Sequence, residues 1–84
     1  MPRVKICGFT TEADVAQAVR AGVDAIGAIV DVPVQTPREI DPERARSLFE
    51  RVPPFVSTVL VTMPETADQA AEHLARSGAD AVQV

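Results

Sequence analysis

The stretch VKICGFT near the start of the sequence contains the only cysteine and the only lysine of the 84 residues. Cys7 is a candidate proton acceptor, because a thiolate is a competent general base once the pKa of the thiol falls from about 8.5. Lys5 carries a positive charge that would favour that thiolate. The alternative for Cys7 is a small buried side chain, which is the usual fate of a free cysteine.

A second candidate is Arg38, in the proline-containing segment TPRE. A guanidinium group can bind a carboxylate through two parallel hydrogen bonds, which a lysine cannot do. The alternative is an exposed loop arginine paired with Glu39 or Asp41. The only histidine, His73, is interpreted as a surface residue of a helix, away from any site. We find no cluster with metal-ligand spacing and no glycine-rich phosphate loop, so no metal is expected.

The composition argues against several classes of function. Twelve acidic and eight basic residues give a net charge of −4, which does not favour nucleic acid or a membrane surface as a partner. A single cysteine cannot form an internal disulfide, which indicates a reducing compartment. No apolar run approaches the roughly 20 residues needed to cross a bilayer. We therefore expect a cytoplasmic protein.

Signals for strands and helices alternate along the chain. Apolar runs predict strands over 3–7, 24–30, 55–61 and 80–84. Capping signals and helical spacing predict a helix between each pair of strands. The first begins near Thr11 and ends at Gly22. The second begins at Asp41 and ends before Pro53. The third has Pro64 in or near its first turn, ends at Gly78, and is predicted to be lined by Ala67, Ala70, Ala71, Leu74 and Ala75.

The order βαβαβαβ predicts right-handed βαβ units and a parallel sheet. An internal repeat supports this interpretation, since AGVDAIG at 21–27 recurs as SGADAVQ at 77–83. Repetition of this kind is typical of a (βα)8 barrel, which needs about 250 residues. The predicted fold class is therefore α/β, a parallel half-barrel, with residues 1–84 forming the incomplete N-terminal half of a TIM-barrel domain.

Side chains alternate along a strand, so Lys5 and Cys7 share one face of the first strand. Val4 and Ile6 share the other face and are expected to meet the helices, which leaves Lys5 and Cys7 pointing into the barrel. A lysine there must be paired or hydrated, and the alternative is a solvated strand residue. Gln83 is expected to face inward on the fourth strand, so we predict that Lys5 and Gln83 approach each other and support the site.

Active sites of barrels lie at the carboxyl ends of the strands. Cys7 is predicted to lie at that end of the first strand. We therefore predict that Cys7, Val30 or Asp31, and Thr62 lie at one end of the sheet, together with the loop 31–40 that carries Arg38.

Five segments, in order and spanning the whole chain, together resemble one known family: VKICGFT, AGVDAIG, TPR before a DPE helix start, VPPFV and GADAVQV. They are similar to the N-terminal half of phosphoribosylanthranilate isomerase, a (βα)8 barrel of tryptophan biosynthesis, and KICG is the most specific of them. The chain departs from the family at Glu39, where an aromatic residue is common, and at Ala28, where phenylalanine is common.

The resemblance implies an Amadori rearrangement of N-(5-phosphoribosyl)anthranilate that needs no cofactor. It implies that Cys7 is the general base and that Arg38 contacts the carboxylate of the anthranilate ring. The general acid would be an aspartate of the second half of the barrel. Asp31 lies near the predicted rim, but nothing in the sequence assigns it that role.

The family continues for four more βα units beyond the matched region. We therefore expect an isomerase that acts on a small phosphorylated substrate and that needs the C-terminal half of the barrel for activity. One alternative is a non-catalytic half-barrel that self-associates, and it predicts no turnover. A redox-active thiol protein is a further alternative.

Overall fold

The computed structural model describes residues 2–84. Strands and helices alternate as the sequence predicts: β1 (Lys5–Ile6), α1 (Glu12–Ala21), β2 (Ala25–Ile29), α2 (Pro42–Phe49), β3 (Ser57–Val61), α3 (Ala67–Ser77) and β4 (Ala81–Gln83). The strands are parallel and lie in chain order in one sheet. The predicted α/β arrangement of consecutive βα units is confirmed.

The strands are shorter than the predicted ones. β1 comprises two residues instead of 3–7. Backbone hydrogen bonds nevertheless continue its pairing with β2 at both ends, because Asp24 N donates to Val4 O at 2.8 Å and Gly8 N donates to Gly27 O at 3.0 Å. β3 begins only at Ser57, since the preceding segment is occupied by a turn instead of a strand.

The helices begin and end at capping residues. The side chain of Thr11 accepts a hydrogen bond from Asp14 N at 3.3 Å and caps α1. Gly22 ends this helix with φ of 91°, a left-handed conformation that glycine adopts without strain. Gly78 ends α3 in the same way, with φ of 70°. Both glycine stops are those that the sequence predicted.

The start of α3 lies later than the sequence indicated. Pro64 precedes the first turn, and Thr66 is the N-cap. Thr66 and Gln69 form a reciprocal capping box, in which each side chain bonds to the backbone of the other residue. The T-x-x-Q spacing was the signal in the sequence that would have located this helix start.

The buried face of α3 also differs from the prediction. Ala67, Ala71 and Ala75 are exposed. The buried or half-buried residues of α3 are Ala70, His73, Leu74 and Ser77. Their spacing of i, i+3, i+4 and i+7 places them on one stripe of the helix. Alanines occur around most of this helix, so their positions alone could not identify the face that meets the sheet.

The core lies between the helices and one face of the sheet. It consists mainly of aliphatic side chains, including Val15, Ile26, Ala28, Ala45, Leu48 and Leu60. We call the opposite face of the sheet the inner face. Since side chains alternate along a strand, the inner face carries Lys5, Cys7, Ala25, Gly27, Ile29, Ser57, Val59, Val61, Ala81 and Gln83. None of the helices in the described part of the chain is long and apolar enough to cross a membrane.

Candidate active site

The carboxyl ends of the strands bring Cys7 close to two loops. Gly8 N and Phe9 N both donate to the carbonyl of Gly27, at 3.0 and 3.3 Å, which fixes the turn after Cys7 against the middle of β2. At the ends of the next strands, Thr62 N donates to Gln83 O at 3.0 Å. The predicted placement of Cys7, Asp31 and Thr62 at one end of the sheet is confirmed.

Arg38 lies beside the turn that follows Cys7. A Cβ atom built on Gly8 would lie 2.9 Å from Cδ of Arg38, so the arginine side chain packs directly over this glycine. Cys7, Gly8, Pro37 and Arg38 form one end of a groove that continues along α1 past Asp14, Gln17 and Ala21. The structure therefore brings together the two candidate residues that the sequence placed 31 positions apart.

The loop that carries Arg38 is anchored to the sheet on its far side. Ile40 N donates to Ile29 O at 2.8 Å, and Glu39 forms an isolated parallel bridge with Ile29. Thr36 organises the turn before this bridge, because its side chain accepts from Arg38 N at 3.2 Å. The backbone on both sides of the arginine is thus held by hydrogen bonds.

Arg38 is exposed, and its guanidinium group takes part in none of the ion pairs among residues 2–84. The alternative that it pairs with Glu39 or Asp41 is not what the structure shows. Asp41 instead uses its carboxylate to cap α2, accepting from Arg44 N at 2.7 Å. The charge of Arg38 is therefore open to a ligand in the groove.

Lys5 and Gln83 meet across the inner face. Nζ of Lys5 donates to Oε1 of Gln83, which links the first strand of the sheet to the last. The predicted approach of these two side chains is confirmed. Their supporting role in a reaction stays a prediction.

The interpretation of His73 as a surface residue away from any site is wrong. Its side chain is 15% exposed, and Nε2 lies 2.9 Å from Oδ2 of Asp31 at the rim. Asp31 adopts a left-handed conformation with φ of 54°, and its carbonyl accepts from Met63 N at 3.0 Å. His73 therefore ties α3 to the loop after β2. The two residues are 42 positions apart, and no local pattern indicated the pair.

An arginine that the sequence analysis did not single out fixes the loop after β1. Arg44 binds both carboxylate oxygens of Glu12, at 2.7 and 2.8 Å, and donates to the carbonyl of Thr10 at 3.0 Å. This pair joins the start of α2 to the start of α1. The hydrogen bonds from Arg44 lower the pKa of Glu12 from 4.5 to about 2.

We expect the Glu12–Arg44 pair to make stability depend on acid pH. The depressed pKa of Glu12 means that its stabilising contribution is present above about pH 4.5 and is lost as the pH falls through about 2. In a folded protein that carries these residues, Glu12→Gln should lower the melting temperature at neutral pH by at most a few degrees, since the pair is partly exposed. The difference from the parent protein should shrink as the pH approaches 2.

Glu50→Gln provides the control, because Glu50 forms an exposed pair with Arg46 at a longer distance of 3.6 Å. Melting temperatures of the parent and both variants between pH 2 and 7 test the expectation. A Glu12→Gln protein with the same melting temperature as the parent at every pH would contradict the expectation.

Among residues 2–84, no group of three or more His, Cys, Asp or Glu side chains could hold a metal ion. The rim and the inner face beside it carry the thiol of Cys7, the guanidinium of Arg38 and the ammonium group of Lys5, together with the Asp31–His73 pair. This set can accept a proton and bind an anion.

No model of a known protein family matches the chain. Curated proteins do match it over all 84 residues: the chain is 55% identical to N-(5′-phosphoribosyl)anthranilate isomerase of Haloferax volcanii and 56% identical to the protein of the same name from Natronomonas pharaonis. The chain covers 38% and 40% of the length of these relatives.

Solved structures give the same result. The phosphoribosylanthranilate isomerase of Thermotoga maritima superposes with a TM-score of 0.88 and 37% identity, over 99% of this chain and 40% of that chain. A second similar structure, with a TM-score of 0.88, is an isomerase in complex with reduced 1-(o-carboxyphenylamino)-1-deoxyribulose 5-phosphate. The chain thus spans about two fifths of the length of the proteins that it matches.

Proposed function

Because this chain belongs to the phosphoribosylanthranilate isomerase family, in which it corresponds to the N-terminal part, we propose that it supplies the general base and the carboxylate-binding residue of that enzyme. The observation that carries the proposal is that Arg38 packs over Gly8, the residue after Cys7, so that Cys7 and Arg38 line the same groove although 31 positions separate them. The proposed reaction converts N-(5-phosphoribosyl)anthranilate to 1-(2-carboxyphenylamino)-1-deoxyribulose 5-phosphate.

Cys7 is proposed to act on the ring-opened substrate. A general acid first protonates the ribose ring oxygen, and the C1–O bond opens to give a protonated imine. The thiolate of Cys7 then removes the proton from C2. The electron pair of that C–H bond forms the C1–C2 double bond, and the π electrons of the C–N double bond neutralise the nitrogen. The resulting enolamine takes up a proton at C1 while its 2-hydroxyl group loses one, which gives the ketone, so the reaction is an isomerisation. Lys5 lies on the same face of the sheet, where its Nζ donates to Oε1 of Gln83, and it is proposed to support the site from there.

Arg38 is proposed to hold the substrate by the carboxylate of its aromatic ring. Arg38 is exposed and lines the same groove as Cys7, and its guanidinium group has no carboxylate partner among the described residues. A guanidinium fork would bind this carboxylate through two parallel hydrogen bonds and orient the ring relative to Cys7.

The general acid and the phosphate site are proposed to come from a C-terminal part that completes the barrel. In barrels that bind phosphate, the site usually lies in the loops after strands seven and eight. The proposed partners of these residues are the rest of a barrel and a small phosphorylated substrate. The proposed location is the cytoplasm.

We expect Arg38→Ala to act mainly on KM in a completed enzyme. Loss of a charge-assisted, bidentate contact that exists in both the ground state and the transition state should raise KM by about tenfold or more and change kcat little. Arg38→Lys is the matched control, because it keeps the charge but not the forked guanidinium. Its KM should lie between those of the parent and of Arg38→Ala. Steady-state kinetics test this, and an unchanged KM for Arg38→Ala would remove Arg38 from the site.

A hybrid protein tests the proposed function in cells. In this hybrid, the 84 matched residues of the Haloferax volcanii relative are replaced by residues 1–84 of this chain, and the rest of the relative is kept. A strain that lacks its own isomerase should grow without tryptophan when it carries the hybrid, and should not grow with the Cys7→Ser hybrid. A hybrid that accumulates as folded protein but does not support growth would count against the proposal.

A further inference from the structure

Gly27 of β2 lies directly against Cys7 on the inner face. A Cβ atom built on Gly27 would lie 3.2 Å from Cα, from Cβ and from Sγ of Cys7. We propose that Gly27 is a positioning residue for the Cys7 thiol, an inference that rests on the proposed role of Cys7 as the base. Glycine at this position leaves room for Cys7 to approach the neighbouring strand.

The backbone conformation does not explain this glycine. The glycines with positive φ are Gly8, Gly22 and Gly78 among the described residues, and Gly27 is not one of them. A glycine inside a strand also weakens the strand, because it has no side chain to pack and loses more entropy on folding. The close contact with Cys7 is therefore the reason that the structure offers for glycine here.

The backbone carbonyl of Gly27 also binds the turn that follows Cys7. It accepts hydrogen bonds from Gly8 N at 3.0 Å and from Phe9 N at 3.3 Å, the two residues that follow Cys7. The absence of a side chain at Gly27 lets the Cys7 thiol lie close to β2, and the carbonyl of Gly27 holds the turn that follows Cys7. Lys5, the nearest cation on the strand, pairs in register with Ala25, two residues before Gly27.

An alanine at position 27 would force Cys7 to move. A contact of 3.2 Å requires the neighbour to give way by a few tenths of an ångström, and here the neighbour includes the backbone of Cys7. Proton transfer depends steeply on the placement of the base. We expect Gly27→Ala to lower kcat by about tenfold or more while KM changes by less than about twofold.

The experiment uses the hybrid protein with Gly27→Ala, and with Ala25→Ser as the matched control. Both variants add one heavy atom to the inner face of β2, but only the first is next to Cys7. The readouts are kcat, KM and the rate of Cys7 alkylation by iodoacetamide between pH 6 and 10, followed by mass spectrometry of the peptide that carries Cys7. Gly27→Ala should change both kcat and the alkylation profile, whereas Ala25→Ser should change neither.

A Gly27→Ala hybrid with kcat and an alkylation profile equal to those of the parent hybrid would overturn the inference. The alkylation readout separates this inference from the proposed function. If the parent hybrid has no turnover but the alkylation profile still changes with Gly27→Ala, the isomerase proposal fails and the positioning of Cys7 by Gly27 stands.

A double variant covers the case in which Gly27→Ala lowers the stability too far for activity to be measured. Cys7→Ala removes Sγ, one of the three atoms that the new methyl group would meet. The drop in melting temperature caused by Gly27→Ala should therefore be smaller in the Cys7→Ala background than in the parent. An equal drop in both backgrounds would show that Gly27 does not act through the thiol.

Discussion

The Cys7→Ser form of the hybrid is expected to lose about 100- to 10,000-fold in kcat, with KM nearly unchanged. A serine hydroxyl is almost the same size as the thiol but is a far weaker acid, so it supplies almost no base at neutral pH. The groups that bind the substrate are not altered, and the loss should therefore fall on the proton-transfer step alone.

Three measurements make the Cys7→Ser result decisive. The melting temperature and the affinity for the reduced product analogue should match those of the parent hybrid, which shows that the site is intact. Ser57→Ala, an exposed position at the opposite end of the sheet, should retain full activity. If Cys7→Ser turns over at a near-normal rate, Cys7 is only a small core residue.

A polypeptide made of residues 1–84 alone is expected not to behave as a stable, active monomer. Within these residues β1 and β4 each have one unpaired edge, and open strand edges invite pairing with other chains. Apolar side chains are exposed on both outer strands, with Ile6 at 43% and Val82 at 40% of their full exposure. The inner face has no opposing strands among the described residues.

Sedimentation and thermal melting of the 84-residue polypeptide test this expectation. It should aggregate, dimerise or melt without a sharp transition, and it should show no isomerase activity until a C-terminal part is supplied. Lysine at an edge opposes edge-to-edge pairing, so Val82→Lys should reduce self-association, and Ala71→Lys on an exposed helix position should not. A cooperative melt from a monomer with measurable turnover would contradict the prediction.

Most of the fold could be predicted because its signals are local. Apolar runs predict the strands, and Thr11, Asp41, Gly22 and Gly78 mark helix ends by chemistry that acts within one turn. The exact length of β1 could not be predicted, because pairing at a sheet edge depends on which backbone groups β2 offers. The buried face of α3 was mispredicted because alanine is small enough to lie on any side of a helix.

The candidate site was predictable only in part, for a related reason. The positions of Cys7 and Arg38 at one rim follow from the topology of parallel βα units. The pairs His73–Asp31 and Arg44–Glu12 join residues that are 42 and 32 positions apart. Such contacts depend on how the helices pack, and no spacing in the sequence carries that information.

The most direct test of the central claim is the turnover of the purified hybrid, measured by the change in fluorescence as N-(5-phosphoribosyl)anthranilate is consumed. If residues 1–84 supply the base and the carboxylate-binding residue, kcat should lie within about tenfold of that of the Haloferax volcanii parent and should fall to background with Cys7→Ser. A hybrid that melts cooperatively as the parent does, yet consumes the substrate no faster than its Cys7→Ser form, would contradict the claim.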